Sequence, residues 1–338
     1  MHSVDESIAN SSVLFPCAAV LALAASFVLV TRLERVAGRW HLSEATLGLI
    51  VALAADSPEI SSAVTASIRR QATIGAGVVV GSNVFNLAAL LGLGAIVARR
   101  ISLHRKVVIL EGVTGSWVAI VTVLASTSIL PSGVALGLVL VAVLPYVAIS
   151  GVTPSRLRKM GLPDRVVRWI GRAVAEEEEE LSSAIRATTA KPIDFVVAGI
   201  CLAVVVVASI VMEHAAQNIG QRFGLSALVI GGVVLAAVTS LPNAVGAIVL
   251  ASRGLGSAVL SEAMNSNMLN IVLGLFLPGM FIGLARPTSG STFVVAFYAG
   301  LTLICLSIAL VRRGLSRLDG FVIVGGYAVF VTVTSLLR

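Results

Sequence analysis

The stretch Ala55-Asp56-Ser57-Pro58-Glu59 places two carboxylates and a proline inside an apolar run from about Leu42 to Ile68. A run of this length predicts a membrane-spanning helix. An acidic side chain at the centre of such a helix costs about 2.5–3.5 kcal/mol on insertion scales, so it is expected to have a compensating role. Proline removes a backbone donor and frees a carbonyl close to the two acids. Charge and an interrupted backbone at mid-membrane depth are typical of ion-binding sites.

The same pattern recurs 184 residues later, as Thr239-Ser240-Leu241-Pro242-Asn243. The offset continues without a gap, and it pairs Pro58 with Pro242, Ala63 with Ala247 and Arg69 with Arg253. At the same offset, Gly81-Ser82-Asn83-Val84-Phe85-Asn86 matches Asn265-Ser266-Asn267-Met268-Leu269-Asn270. Because the register is kept across a whole pair of helices, the sequence indicates an internal duplication.

The composition is that of a polytopic membrane protein. Hydrophobic residues make up 57% of the chain and charged residues 12%, whereas about a quarter of a soluble domain is charged. The net charge of +7 is explained by basic residues in cytoplasmic loops and does not indicate nucleic-acid binding. The three cysteines, Cys17, Cys201 and Cys305, lie in separate apolar runs without metal-ligand spacing, so no resident cofactor is predicted.

Apolar runs predict ten transmembrane helices, five on each side of a polar segment at 151–192. The spans are roughly 13–31, 43–68, 72–98, 107–127, 131–150, 193–212, 225–252, 256–284, 291–311 and 318–337. This gives a first five-helix repeat over 1–150, a cytoplasmic linker over 151–192 and a second five-helix repeat over 193–338. An odd number of spans in each repeat places the two halves in opposite orientations, so the predicted fold is an all-α bundle of two inverted repeats.

The distribution of Lys and Arg predicts the orientation. Loops on the side of the 151–192 segment hold nineteen of the basic residues, and the opposite side holds five. Because basic residues accumulate on the cytoplasmic side, both termini are expected outside. We predict an integral membrane protein of a prokaryotic-type plasma membrane.

The 151–192 linker contains two charged features. Between Asp164 and Val174, Arg165, Arg168 and Arg172 alternate with apolar residues at helical spacing, which predicts an amphipathic helix on the anionic inner leaflet. The run Glu176–Glu180 is either a regulatory cation sensor or a solvated segment. It lacks the alternating ligands and the glycine of a calcium loop.

The paired motifs resemble the two alpha-repeats of the calcium/cation antiporter superfamily, which includes the sodium/calcium exchangers. In that family a Thr-Ser-x-Pro-Glu-like turn is followed by Gly-Ser-Asn-x-x-(Asn/Asp). Here the first motif covers 55–92 and the second covers 239–276. The resemblance implies an antiporter, not an enzyme, whose partners are small inorganic cations and the lipid bilayer. It places the cation sites between the second and third helices of each half.

The resemblance implies oxygen ligands from both motifs. The metal-site candidates are Asp56, Glu59, Ser82, Asn86, Thr239, Ser240, Asn243, Glu262, Ser266 and Asn270. Carboxylate, amide and carbonyl oxygens are the ligands that calcium prefers. Spans 1 and 6 are the expected moving gates by the same analogy.

Three departures from the family pattern concern charge. The second-repeat acid is Asn243, Asp56 stands where a hydroxyl residue is usual, and Glu262 lies one helical turn before Ser266 on the same face. The first-repeat counterpart of Glu262 is Val78. Because a carboxyl group removed from water favours its neutral form, protons and sodium ions are both candidate counter-ions.

Several alternatives remain open at this stage. The main hypothesis is exchange of calcium or another small cation against sodium or protons. A monovalent sodium/proton or potassium exchanger, or a membrane scaffold without transport activity, are the other possibilities. Asp56 could be a structural cap, Asn83 and Asn267 could pack helices by hydrogen bonds, and Glu111 matches no motif.

Overall fold

The computed structural model describes residues 2–39, 52–150, 163–165, 167–172 and 191–337. These residues form a mostly helical bundle. The helices are α1 (His2–Arg39), α2 (Ser57–Ile68), α3 (Ala72–Ala98), α4 (Arg105–Ser126), α5 (Ser132–Ser150), α6 (Pro192–Arg222), α7 (Ala227–Thr239), α8 (Leu241–Ser252), α9 (Gly256–Ile282), α10 (Ser289–Arg312) and α11 (Arg317–Leu336). Residues 52–55 are also helical and precede α2.

Two short strands connect distant parts of the chain. Strand β1 (Arg100–Ser102) pairs antiparallel with β2 (Gly314–Ser316), with Ile101 opposite Leu315. Both of these residues are buried. The strands therefore fix the ends of α3 and α10 relative to each other.

Seven of the described helices are long and apolar enough to cross a membrane, and the bent pair α7–α8 brings the number to eight. Helix α5 is apolar but shorter, and the start of the predicted second span at 43–51 lies outside the described residues. The membrane class and the helical fold are thus confirmed. The count of ten spans and the inverted orientation of the repeats stay predictions.

Both motif helices are interrupted at the predicted positions. A turn at Asp56 separates residues 52–55 from α2, and a 46° bend at Ser240 separates α7 from α8. In each case a proline, Pro58 or Pro242, lies in the first turn of the new helix, where its missing N–H is tolerated. The Ser57 hydroxyl donates to Ala54 O at 2.7 Å, the carbonyl that the N–H of residue 58 would have bonded in a regular helix.

Three π-helical segments widen the helices that carry the motifs. They are Leu87–Leu93 in α3, Ile230–Leu235 in α7 and Asn270–Phe276 in α9. The segments in α3 and α9 begin at nearly matching positions of the duplication, next to Asn86 and at Asn270. Such segments are frequent at functional sites because they redirect side chains.

Helix α3 lies at the centre of the bundle and approaches α7 very closely. Of the residues in its most apolar stretch, 89% are buried, whereas the corresponding shares are 33% in α1 and 28% in α6. Helices α1 and α6 pack against each other at the periphery. A Cβ atom added to Gly81 would lie 2.2 Å from the carbonyl oxygen of Gly232. The two backbones are in direct contact there, so glycine is required.

The sixth helix is longer than the sequence predicted. The expected span ended at residue 212, but α6 continues to Arg222. The boundary was wrong because polar residues beyond 212 are paired inside the protein instead of ending the helix. Buried Glu213 contacts Arg69 at 3.3 Å, and Gln217 hydrogen-bonds Gln71.

The linker is described only in part. Helical residues at 164–165 and 167–172 bury Val167 and Ile170 and expose Arg168 and Arg172, as an amphipathic helix requires. Its binding to lipid stays a prediction. The run Glu176–Glu180 lies outside the described residues.

Candidate cation site at the broken helices

Asp56 and Asn243 form one of two hydrogen-bonded pairs that join the two interrupted helices. Asn243 Nδ2 donates to Asp56 Oδ1 at 2.7 Å, and the Ser266 hydroxyl donates to the same oxygen at 2.6 Å. Asp56 is fully buried, and Asn243 and Ser266 are 1% exposed. Asp56 therefore connects the first break to both α8 and α9.

Glu59 and Ser240 form the second pair, in which Ser240 Oγ donates to Glu59 Oε1 at 2.8 Å. The 184-residue offset relates Asp56 to Ser240 and Glu59 to Asn243. Each pair thus joins the turn residue of one segment to the residue three positions later in the other segment. The same contact is made twice, but the carboxylate belongs to the turn residue in one pair and to the later residue in the other.

Amide side chains connect α3 and α9 in the same reciprocal way. Asn83 Nδ2 donates to Asn267 O at 3.1 Å, and Asn267 Nδ2 donates to Asn83 O at 3.3 Å. Asn86 Nδ2 reaches Asn267 Oδ1 at 3.2 Å, and Asn270 Nδ2 reaches Asn83 Oδ1 at 3.3 Å. The predicted role of Asn83 and Asn267 in interhelical hydrogen bonding is confirmed.

We call the buried set at this junction the central cluster. Its members are Asp56, Glu59, Asn86, Ser240, Asn243, Ser266 and Asn270. Four of its oxygen atoms are buried and have no hydrogen-bond partner: Asp56 Oδ2, Glu59 Oε2, Asn86 Oδ1 and Asn270 Oδ1. Unpaired buried acceptors are costly, and these are carboxylate and amide oxygens of the kind that hard cations prefer.

Within the part of the chain that the structure describes, no basic side chain neutralises the two acids. The ion pairs found there include those of Arg32 and Arg35 with Asp194, of Arg69 with Glu213, and of Arg312 with Asp319. The same residues hold no group of three or more His, Cys, Asp or Glu side chains that could bind a metal ion. A buried carboxylate without a partner costs roughly several kcal/mol. A cation bound in this cluster would offset that cost.

Two further predicted residues border the cluster. Ser82 Oγ lies 3.5 Å from Ala236 O, across the contact between α3 and α7. The Thr239 hydroxyl donates to Leu235 O at 2.9 Å, one turn earlier in its own helix. Both side chains are buried. Their donated hydrogen bonds go to helical carbonyls, which leaves the hydroxyl oxygens as the possible ligand atoms.

Glu262 lies within electrostatic range of Asp56. The residue as a whole is partly exposed. The Oε1 atom of Glu262 lies 3.0 Å from the place that a Cβ atom on Gly246 would occupy. Its other oxygen, Oε2, is buried without a hydrogen-bond partner. The carboxylate packs over the glycine of α8, and the hydrogen bonds of the central cluster do not include it. Its expected place beside Ser266 is therefore only approximate.

Two buried polar contacts were not predicted. The Tyr298 side chain of α10 is 1% exposed and is hydrogen-bonded to Asn83. Buried Glu111 accepts hydrogen bonds from Tyr146 at 2.6 Å and from Ser261 at 2.9 Å, which links α4, α5 and α9. Neither residue lies in a repeated motif, so the duplication carried no signal for them.

Comparison with known proteins identifies the family. A sequence model described as sodium/calcium exchanger protein matches residues 10–152 and 193–336, one match in each half of the chain. The chain belongs to the sodium/calcium exchanger protein family. The resemblance to the calcium/cation antiporter superfamily is thereby confirmed.

The chain is similar in sequence to mammalian sodium/potassium/calcium exchangers. The sodium/potassium/calcium exchanger 2 of Mus musculus is 31% identical over 142 residues, which are 40% of this chain and 21% of that protein. Its Homo sapiens counterpart is 32% identical over 142 residues, or 22% of its length. These alignments therefore span about a fifth of each relative.

Solved structures of an exchanger share the fold. The sodium-calcium exchanger NCX_Mj, in crystals soaked with sodium and without calcium, superposes with a TM-score of 0.61 at 20% sequence identity. The superposition covers 96% of this chain and 99% of that one. This sodium/calcium exchanger family member thus has the fold of NCX_Mj over nearly its whole length.

Proposed function

We propose that the protein is a secondary active antiporter that exchanges calcium or another small cation against sodium or protons by alternating access. The observation that carries this proposal is the central cluster. Asp56 and Glu59 are fully buried, have no basic partner in the described part of the chain, and each keep one oxygen without a hydrogen bond. A transported cation would compensate both charges and use the free oxygens as ligands.

The architecture that we propose is two inverted five-helix repeats with both termini outside and the 151–192 linker in the cytoplasm. The reciprocal hydrogen bonds between matching residues support a common origin of the two halves. The two breaks lie together in the bundle, where a rocking motion about them would open the cluster to one side at a time. A cation drives that motion only if it binds the two states with different affinity.

Exchange of monovalent cations is the second candidate. It is favoured by the amides at Asn243 and Asn270, because neutral ligands lower the preference of a site for divalent ions. A scaffold without transport activity is disfavoured, since buried acids are expensive and no described basic residue compensates them.

The test is calcium uptake into vesicles that contain the purified protein. An outward sodium gradient and an outward proton gradient are applied in turn, and the driving gradient identifies the counter-ion. We expect Glu59→Gln to reduce uptake by at least about 100-fold, because it removes one of two charges from the cluster. Glu111→Gln is the matched control, since it also removes a fully buried carboxylate but lies outside the cluster.

The outcomes separate the candidates. Calcium uptake that requires Glu59 supports calcium antiport. Sodium or potassium exchange without calcium uptake supports the monovalent alternative. If none of these ions moves, or if Glu111→Gln is as damaging as Glu59→Gln, the central cluster is not the transport site.

A further inference from the structure

Two side chains of α9 lie beside the central cluster and keep unused acceptor atoms. Glu262 and Asn265 are both partly exposed. Glu262 Oε2 and Asn265 Oδ1 are nevertheless buried atoms without a hydrogen-bond partner. Residues three positions apart lie on the same face of a helix, so the carboxylate and the amide are neighbours. We call these two residues the entry pair.

The entry pair is connected to the central cluster. Ser266 lies four positions after Glu262 on the same face of α9, about 6 Å further along the helix axis. The Ser266 hydroxyl donates to Asp56 Oδ1 at 2.6 Å, and Glu262 interacts electrostatically with Asp56. Polar groups therefore lead from the partly exposed Glu262 to the buried break at Asp56.

The second repeat provides space for this carboxylate, and the first repeat does not. Gly246 is also partly exposed, and a Cβ atom there would lie 3.0 Å from Glu262 Oε1. The 184-residue offset relates Gly246 to Ser62 and Glu262 to Val78, and both of these residues are fully buried. The matching place in the first repeat is thus closed and carries no charge.

The entry pair lies toward the end of the bundle that carries strands β1 and β2. Helix α9 begins at Gly256, where an added Cβ atom would collide with the carbonyl oxygen of Ser102 in β1. Glu262 is in the second turn of α9, between this end and Ser266. In the architecture proposed above, this end of the bundle faces the cytoplasm.

We propose that Glu262 and Asn265 form a second cation-binding site, through which cations enter and leave the central cluster from the side of β1 and β2. The proposal rests on the proposed antiport function and adds a route to it. One carboxylate and one amide are too few ligands for a fully dehydrated calcium ion, which takes six to eight oxygens. A cation would therefore keep most of its water at the entry pair and lose it on reaching the cluster. A carboxylate in a cleft also raises the local concentration of cations.

The first experiment measures access from water. In a background without the three native cysteines, Glu262→Cys and Asn265→Cys are treated with a positively charged, membrane-impermeant thiol reagent. Right-side-out and inverted membrane vesicles expose opposite sides of the full-length protein. We expect both cysteines to react from one and the same side, because the thiolate that reacts forms in water and not in lipid. Val78→Cys is the matched control in the first repeat and should not react.

Cation binding is tested by protection. Calcium or sodium should slow the labelling of Asn265→Cys several-fold, because this variant retains Glu262, whereas choline at equal ionic strength should not. Absence of labelling at both positions, labelling from opposite sides, or labelling that calcium and sodium do not slow would overturn the proposal. These readouts do not require transport.

Transport kinetics test the route. Glu262→Gln keeps the shape of the side chain and removes its charge. We expect the apparent KM for calcium to rise about 10-fold when calcium is added on the labelled side, and less than about 2-fold when it is added on the other side. Equal changes on both sides would indicate a structural role and contradict the entry route. If the wild-type protein moves no cation, the antiport function fails, and the labelling and protection results still decide whether the pair binds cations.

Discussion

The segment around Asp56–Glu59 and the segment around Ser240–Asn243 have the same backbone design and different charge. Both are broken before a proline, and each contacts the other through the same pair of positions. Both acids, however, come from the first segment. The duplicated contacts therefore fix the geometry, whereas the charge can lie on either partner of a hydrogen bond.

The largest effect is expected when the charge is removed from one pair and then restored on its other side. Asp56→Asn removes one of the two charges, and we expect calcium uptake to fall at least about 100-fold. The double variant Asp56→Asn with Asn243→Asp keeps one carboxylate and one amide across the same 2.7 Å contact. It should recover uptake to within about 10-fold of the wild type, an interaction that the double-mutant cycle measures.

The single variant Asn243→Asp is the control for this swap. It places two carboxylates side by side, and their repulsion should weaken transport. If the double variant transports no better than Asp56→Asn, the position of the charge matters and not only its presence in the pair.

The loss of stability on substitution should differ strongly between Gly81 and its counterpart in the second repeat. Gly81 and Asn265 are counterparts, but only the first must allow the backbone of Gly232 to approach. Gly81→Ala forces a shift of that backbone, and we expect a loss of about 3 kcal/mol in stability. Asn265→Ala should cost less than about 1 kcal/mol. Thermal unfolding in detergent checks both, and equal losses would contradict the close contact.

The asparagine pair should instead behave symmetrically. Asn83→Ala and Asn267→Ala each remove one of two reciprocal hydrogen bonds and leave a buried carbonyl without its donor. Each also removes a contact with the other amide of the cluster, Asn270 or Asn86, and Asn83→Ala in addition removes the bond to Tyr298. We expect each to cost about 1 kcal/mol, with a smaller additional loss in the double variant, because buried hydrogen bonds in membranes contribute modestly. The measurement is chemical unfolding in mixed micelles. Strongly unequal single losses would show that the two contacts are not equivalent.

The smallest effect concerns the hydroxyl beside the first proline. Ser57 donates to Ala54 O, whereas Leu241 stands at the matching position and offers no donor. Ser57→Ala should therefore cost about 0.5–1.5 kcal/mol in thermal stability. Leu241→Ser, the matching change in the second segment, should cost less stability than the removal of a buried leucine, because Leu241 is 40% exposed. A loss for Ser57→Ala well above that of a single hydrogen bond would mean that the hydroxyl has a further partner.

Much of the site was predictable because the sequence contains it twice. The fixed offset located both breaks and nine residues that the structure buries together, and the apolar runs established the membrane class. The duplication carried no information where the chain is not repeated. Glu262 has no counterpart in the first repeat, Tyr298 lies outside the motifs, and the paired residues of α6 beyond 212 looked like the end of a span.

Residue type and spacing were sufficient for whatever depends on local chemistry: proline breaks a helix, a charge in an apolar run needs compensation, and a repeated register signals a repeated unit. Tertiary structure alone decided that Asp56 pairs with Asn243 and Glu59 with Ser240, and that Glu262 packs over Gly246 instead of joining their hydrogen bonds. The physical reason is that the two hydrogen bonds join residues 181 and 187 positions apart, and that Gly246 and Glu262 lie on different helices. The geometry of all three contacts follows from the packing of helices, which is not encoded in any short stretch of the chain.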